Sequence, residues 1–167
     1  MGRTPVFFRF QGRIPRRIFW IGLTALLAAA VIAVYLLSYL FEQIIPDRPS
    51  DSLVIYGRLA ILMVVWIPAF YSILAVLVKR LHDRDKSGRW VVILVAAGFL
   101  PLIAIVGFLV GPGAFLLEPS PYLQILDSVS LAIALWFFVE LGFLKGTKGP
   151  NRFGADPLAP PGAYSDN

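Results

Sequence analysis

Long apolar runs recur along this chain, and charges cluster between them. Residues 18–41, 59–78 and 91–110 contain no charged side chain. Residues 122–144 are nearly as apolar and carry only Asp127 and Glu140. A helix needs about 20 mostly apolar residues to cross a bilayer, so the pattern predicts four spanning helices. A barrel strand would instead alternate polarity over about ten residues. These runs are longer and do not alternate, and a helix satisfies its own backbone where there is no water to do so. The predicted fold class is all-α: a polytopic membrane protein, a four-transmembrane-helix bundle with a short leader, hairpin and tail. One membrane domain covers 1–157, and the small, proline-rich stretch 158–167 is expected to be disordered. Pro68 and Pro101 predict kinks in the second and third helices. The GxxxG at 107–111 is a weak packing signal. The first run is about twice the 7–15-residue core of a signal peptide, so it reads as a retained helix.

Composition supports the same class. The chain is 58% hydrophobic and 15% charged, with a mean hydropathy of +0.77, against about 45–50% and 25% in soluble domains. It has no cysteine and one histidine, which excludes disulfides, thiolate metal sites, cysteine nucleophiles and multi-histidine metal centres. P-loop, zinc and GxSxG motifs are absent. No enzyme class, catalytic residue, cofactor or metal is therefore predicted.

Charge sets the expected orientation. Thirteen basic residues fall in the leader (Arg3, Arg9, Arg13, Arg16, Arg17), the hairpin (Lys79, Arg80, Arg84, Lys86, Arg89) and the tail (Lys145, Lys148, Arg152), against two, Arg48 and Arg58, in the other connections. Basic residues collect in short cytoplasmic loops. Both termini are thus expected in the cytoplasm of a bacterial inner membrane, with 46–49 and 111–121 as outer loops. Trp20 and Trp90 fall at the cytoplasmic ends of their helices, where tryptophan favours the interface. The net charge of +5 then serves orientation and anionic headgroups rather than nucleic acid.

The three basic segments hold the candidate polar residues. The leader FFRFQGRIPRRIFW reads as an aromatic and basic interfacial anchor, broken by Gly12 and Pro15, with Arg13 and Arg17 as candidate ligands for an anion. In the hairpin KRLHDRDKSGRW, Arg80 and Asp83 share a face if the second helix continues past Val78, and Ser87-Gly88 marks a turn. Lys79 and Arg80 are placed to snorkel, and the bland expectation for the whole hairpin is a solvated turn with exposed ion pairs. His82 beside Asp83 has the composition of a general base, although neighbours on a helix point about 100° apart. Glu140 is expected to pair with Arg80, Lys79 or a leader arginine. In the tail KGTKGPNRFGADP, Asn151, Gly154 and Asp156 look like turn formers, and Phe153 suggests that the segment packs.

Taken in order around four spans, these pieces resemble the bacterial inner-membrane family called domain of unknown function eight hundred and five. Its leading F-x-G-R-x-x-R-x-x-[FY]-W pattern is matched by Phe10, Gly12, Arg13, Arg16 and Trp20. Its R-L-H-D…S-G-W hairpin is matched by residues 80–83, Ser87, Gly88 and Trp90, with Arg89 inserted before the tryptophan. Its G-x-N-x-[FY]-G-x-D-P tail is matched by Gly149, Asn151, Phe153, Gly154, Asp156 and Pro157. The resemblance covers about 7–157 and implies an integral bacterial membrane protein of unassigned role.

The expected arrangement is one cytoplasmic polar cap made of Arg13, Arg16, Arg80, His82, Asp83, Ser87, Gly88, Glu140, Asn151, Gly154 and Asp156. In it Arg13 and Arg80 meet Asp83 and Asp156, with Glu140 beneath. The expected role is a non-enzymatic membrane module whose cap binds anionic lipid, a partner protein or a second copy. One alternative is a small transporter or channel component lined by Ser38, Ser72 and Ser130. Another is a lipid-headgroup enzyme using His82 and Asp83.

Overall fold

The computed structural model describes residues 7–44, 51–99 and 121–160. Among these residues the regular structure is helical: α1 (Arg16–Ile44), α2 (Asp51–Asp83), α3 (Trp90–Phe99) and α4 (Pro121–Gly142). Three of them, α1, α2 and α4, are long and apolar enough to cross a membrane. At 1.5 Å per residue α1 spans roughly 43 Å and α4 roughly 33 Å, against a hydrocarbon core of about 30 Å. The second half of the third apolar run, with Pro101 and the GxxxG, lies outside the described residues. So do 46–49, nearly all of 111–121, and 161–167.

Local sequence sets the helix ends at the basic side. Gly12 takes a positive φ of 95°, and the Pro15 carbonyl accepts the first helical bond of α1 from the Phe19 amide at 3.0 Å. A proline at this point needs no donor of its own. The α2 helix runs past Val78 to Asp83 and closes in a Schellman arrangement. Asp85 is left-handed at φ 55°. The amides of Asp85 and Lys86 donate to the carbonyls of His82 and Leu81 at 3.0 and 2.9 Å. This stop gives the carbonyls of Leu81 and His82 turn partners at the helix end. Ser87 and Gly88 then start α3, their carbonyls accepting from the Trp90 and Val91 amides. A Cβ on Gly88 would fall 2.9 Å from Val78, so the hairpin needs glycine to fold back against α2. Inside α2, Pro68 lacks an amide to donate, and Ser72 donates its hydroxyl to the Pro68 carbonyl at 2.9 Å.

The helices pack most closely as the pair α1–α2, with α4 touching both. The buried cluster consists of Ile14, Phe19, Val76, Leu81, Val91, Phe137 and Leu141, all near the basic end. Elsewhere large apolar side chains point outward: Tyr35 is 71% exposed, Val64 68% and Leu131 60%. Outward-facing apolar surface of this length suits contact with lipid chains rather than water.

Candidate functional site

Leader, α2 end, hairpin and tail converge on one polar cluster at the basic end. Asp83 is its centre, with a side chain only 4% exposed. One carboxylate oxygen, Oδ1, accepts from Arg13 Nε at 3.3 Å and Nη2 at 3.2 Å. The other, Oδ2, accepts from Arg80 Nη1, three residues earlier on the same helix. The Asp83 carbonyl accepts from the Thr147 amide at 2.8 Å and the Thr147 hydroxyl at 3.2 Å. Both polar ends of this residue therefore hold other segments.

Two buried guanidinium groups share that one carboxylate, and backbone carbonyls offset the remaining positive charge. Arg13 donates to the carbonyls of Gly149 at 2.8 Å, Gly154 at 3.3 Å and Thr147 at 2.7 Å, and to the Thr147 hydroxyl. Arg80 donates to the carbonyls of Leu141 at 2.7 Å and Leu144. The last two sit at the C-terminus of α4, where helical carbonyls lack partners and carry partial negative charge. The fixed fork of arginine suits such multiple acceptance. Among the described residues, no buried side-chain nitrogen or oxygen is left without a partner. The cluster is a clasp that ties residue 13 to residues 83 and 147–154.

The tail is ordered around the same clasp. Asn151 donates to the His82 carbonyl at 2.9 Å and to the Thr147 hydroxyl at 3.0 Å, while its Oδ1 accepts the Phe153 amide. Asn151 and Gly154 form a two-way backbone bridge, with Gly154 at φ 135°. Phe153 stacks on His82 with ring centroids 3.8 Å apart and planes 5° from parallel. His82 Nδ1 lies 3.2 Å from the Gly12 carbonyl. A carbonyl can only accept, so the proton of the neutral ring sits on Nδ1. Asp156 accepts the Leu158 amide at 2.9 Å and the Gly149 amide at 3.0 Å, and these two bonds hold its carboxyl below the usual carboxylate range.

Several sequence expectations are corrected here. Arg80 and Lys79 do not snorkel: their residues are 0% and 1% exposed, and the Arg80 guanidinium is taken up by Asp83 and by the Leu141 and Leu144 carbonyls at the end of α4. The hairpin is not a solvated turn with only exposed pairs, since its central carboxylate is enclosed. Asp156 holds backbone amides rather than an arginine. Glu140 meets Arg84 and Lys86, each at 2.9 Å, rather than Arg80, Lys79 or the leader. Asp83 does not orient His82 for base chemistry, because its oxygens face arginines and His82 Nδ1 faces Gly12. Arg13 is enclosed by the protein's own acceptors, whereas Arg17 remains exposed.

Arg16 donates to the Phe143 carbonyl at 2.8 Å, and Trp20 donates to the Gly142 carbonyl at 3.2 Å, so both join α1 to the end of α4. Ser87 and Gly88 stay at the α3 start, with the Ser87 hydroxyl accepting the Arg89 amide at 3.4 Å. Phe10 stacks edge-on with Tyr71 at 5.2 Å. Ser72 is buried and already bonded within α2. Sequence reasoning missed Thr147, which bonds Arg13, Asp83 and Asn151, and Gly146, where a Cβ would run into the Asp83 carboxylate. Their signal was the pair of glycines that brackets the threonine in GTKG. No group of His, Cys, Asp or Glu among the described residues is placed to hold a metal ion.

The geometry brings leader, hairpin and tail motifs together at the basic end. The family model described as protein of unknown function (DUF805) matches residues 7–155, the stretch that the clasp ties together. The chain is similar to a protein described as uncharacterized protein YiiR in Escherichia coli strain K12 and in Escherichia coli O157:H7. Each is 29% identical over 150 residues, covering 89% of this chain and 86% of its own. No solved structure matches. The chain belongs to the DUF805 family of proteins of unknown function.

Proposed function

We propose that this is a four-span protein of the bacterial inner membrane, with both termini in the cytoplasm, that works without catalysis. Its clasp fixes the cytoplasmic ends of the helices and presents a cationic rim to anionic lipid headgroups. The observation that carries this reading is the division among its charges. Arg13, Arg80 and Asp83 are consumed by one another and by backbone carbonyls. Arg9, Arg17, Arg89, Lys145 and Lys148 remain exposed around them. A site for acid–base chemistry needs a group poised to give or take a proton from a substrate, and the enclosed carboxylate is already committed. Exposed cations beside apolar helices are instead suited to the negative surface of the cytoplasmic leaflet. The α3 helix, described over Trp90–Phe99, begins an apolar run that continues in sequence to residue 110, long enough to make the fourth crossing.

Single cysteines test the topology against a clean background, because the chain has none. Arg89→Cys should react with a membrane-impermeant thiol reagent only after cells are opened. Glu42→Cys and Gln124→Cys should react in intact cells. Opposite labelling of positions 89 and 124 requires the chain to cross between them. Equal labelling of those two positions would remove the fourth span, and labelling of Arg89→Cys in intact cells would invert the orientation.

A further inference from the structure

The cationic rim contains a formed cavity, and its chemistry is more specific than a general attraction to membranes. It has a volume of about 260 Å³ and lies between the first turn of α1 and the loop that follows α4. Arg16, Lys145 and Lys148 line it, together with Asp83, Asp156 and Leu158. Among the described residues the ammonium groups of Lys145 and Lys148 make no ion pair, and Arg16 uses one nitrogen on the Phe143 carbonyl. The two carboxylates do not neutralise these cations. Asp83 is outnumbered by Arg13 and Arg80, and the single negative charge of Asp156 stands against three lining cations, Arg16, Lys145 and Lys148. The cavity is therefore net positive, and it has several times the space one water needs.

We propose that this cavity is a binding site for a phosphate ester, and that its source is the headgroup of an anionic phospholipid. The proposal rests on the orientation and lipid contact put forward above. Arg16 can offer its remaining guanidinium nitrogens, and the two lysines act as point charges on the phosphate oxygens. The surroundings select a lipid over a soluble phosphate. Leu158 on the cavity wall is 76% exposed, and Phe143, whose carbonyl Arg16 holds, is 55% exposed. Trp20 lies one turn along α1 from Arg16, bonded to the Gly142 carbonyl. Cations edged by exposed apolar side chains suit the boundary between headgroups and acyl chains. A soluble ligand would leave Leu158 and Phe143 in water.

The test uses the full chain in a zwitterionic detergent and counts bound lipids by native mass spectrometry, with phosphatidylglycerol and phosphatidylcholine as probes. One phosphatidylglycerol should be retained in preference to phosphatidylcholine. The double variant Lys145→Gln/Lys148→Gln should weaken that site by roughly 30-fold, if each lysine contributes as a surface cation near anionic lipid does. The control Arg9→Gln/Arg89→Gln removes two exposed rim cations that do not line the cavity and should weaken the site far less than the lysine pair does, since salt screens charges that do not touch the phosphate. Melting temperatures measured alongside separate lost binding from lost folding. Equal losses in both double variants would overturn the cavity and leave a diffuse anionic-lipid surface. No preference for phosphatidylglycerol in the unaltered protein would overturn both the cavity and the lipid reading beneath it. Displacement of the lipid by equimolar glycerol phosphate would overturn the lipid assignment in favour of a soluble phosphate ester.

Discussion

The two ends of the α1–α2 pair are held by different means. At the basic end, Asp83 and two arginines are enclosed and tied to residues distant in sequence, Arg13 to Gly149 for example. At the far end the Phe41 ring lies on Gly57, and the ion pair visible there is Arg58–Glu42 at 2.8 Å, with side chains 53% and 49% exposed. Both ends contain a salt bridge, yet they should differ greatly in worth. An exposed pair contributes about 0–1 kcal/mol because water and salt screen it. An enclosed charge that loses its partner costs about 3–5 kcal/mol because nothing replaces the lost solvation. The difference lies in what surrounds the ions, not in their chemical type.

Removing the carboxylate is the strongest way to break this comparison. Asp83→Ala leaves Arg13 and Arg80 enclosed without an anion, and the expected loss is about 3–5 kcal/mol. The readout is a large drop in melting temperature in detergent and the appearance of proteolysis within 147–154. A change of the size seen for an exposed pair would show that water enters the clasp. Gly146→Val sharpens the same point by steric means, since its Cβ points into the Asp83 carboxylate. Overpacking of this kind costs about 1–3 kcal/mol, so the melting temperature should fall less than for Asp83→Ala, with the same region exposed to protease. Glu42→Ala at the far end should cost no more than about 1 kcal/mol, and that cost should shrink as salt is raised. A loss at Glu42 equal to that at Asp83 would erase the distinction between the two ends.

The long helices were legible in the sequence because their signal is simple: uncharged stretches that outlast the thickness of a bilayer. The pairing of Arg80 with Asp83 was legible for a similar reason, as a spacing of three on a helix brings side chains to one face. Legibility failed where partners depend on how separate segments fold over each other. Nothing in local spacing says that Glu140 meets Arg84 and Lys86, because the hairpin must first turn at Asp85 to bring Lys86 within reach. Likewise the exposure of Lys79 and Arg80 was misjudged because snorkelling assumes water beyond the helix end, and here the end of α4 meets Arg80 instead. Thr147 was passed over because a lone threonine among glycines has no periodic pattern. Its importance comes from its position opposite the Asp83 carbonyl.

The long reach of Arg13 also orders the protein in time. Residue 13 leaves the ribosome at least 134 residues before its carbonyl partners Thr147, Gly149 and Gly154. Throughout synthesis of α1, α2 and α3 the clasp lacks those acceptors, and it can close only when the tail arrives. A chain halted before residue 147 would display two arginines without their full set of acceptors. Closure thus marks, in one chemical event, the point at which α4 and the segment after it are in position.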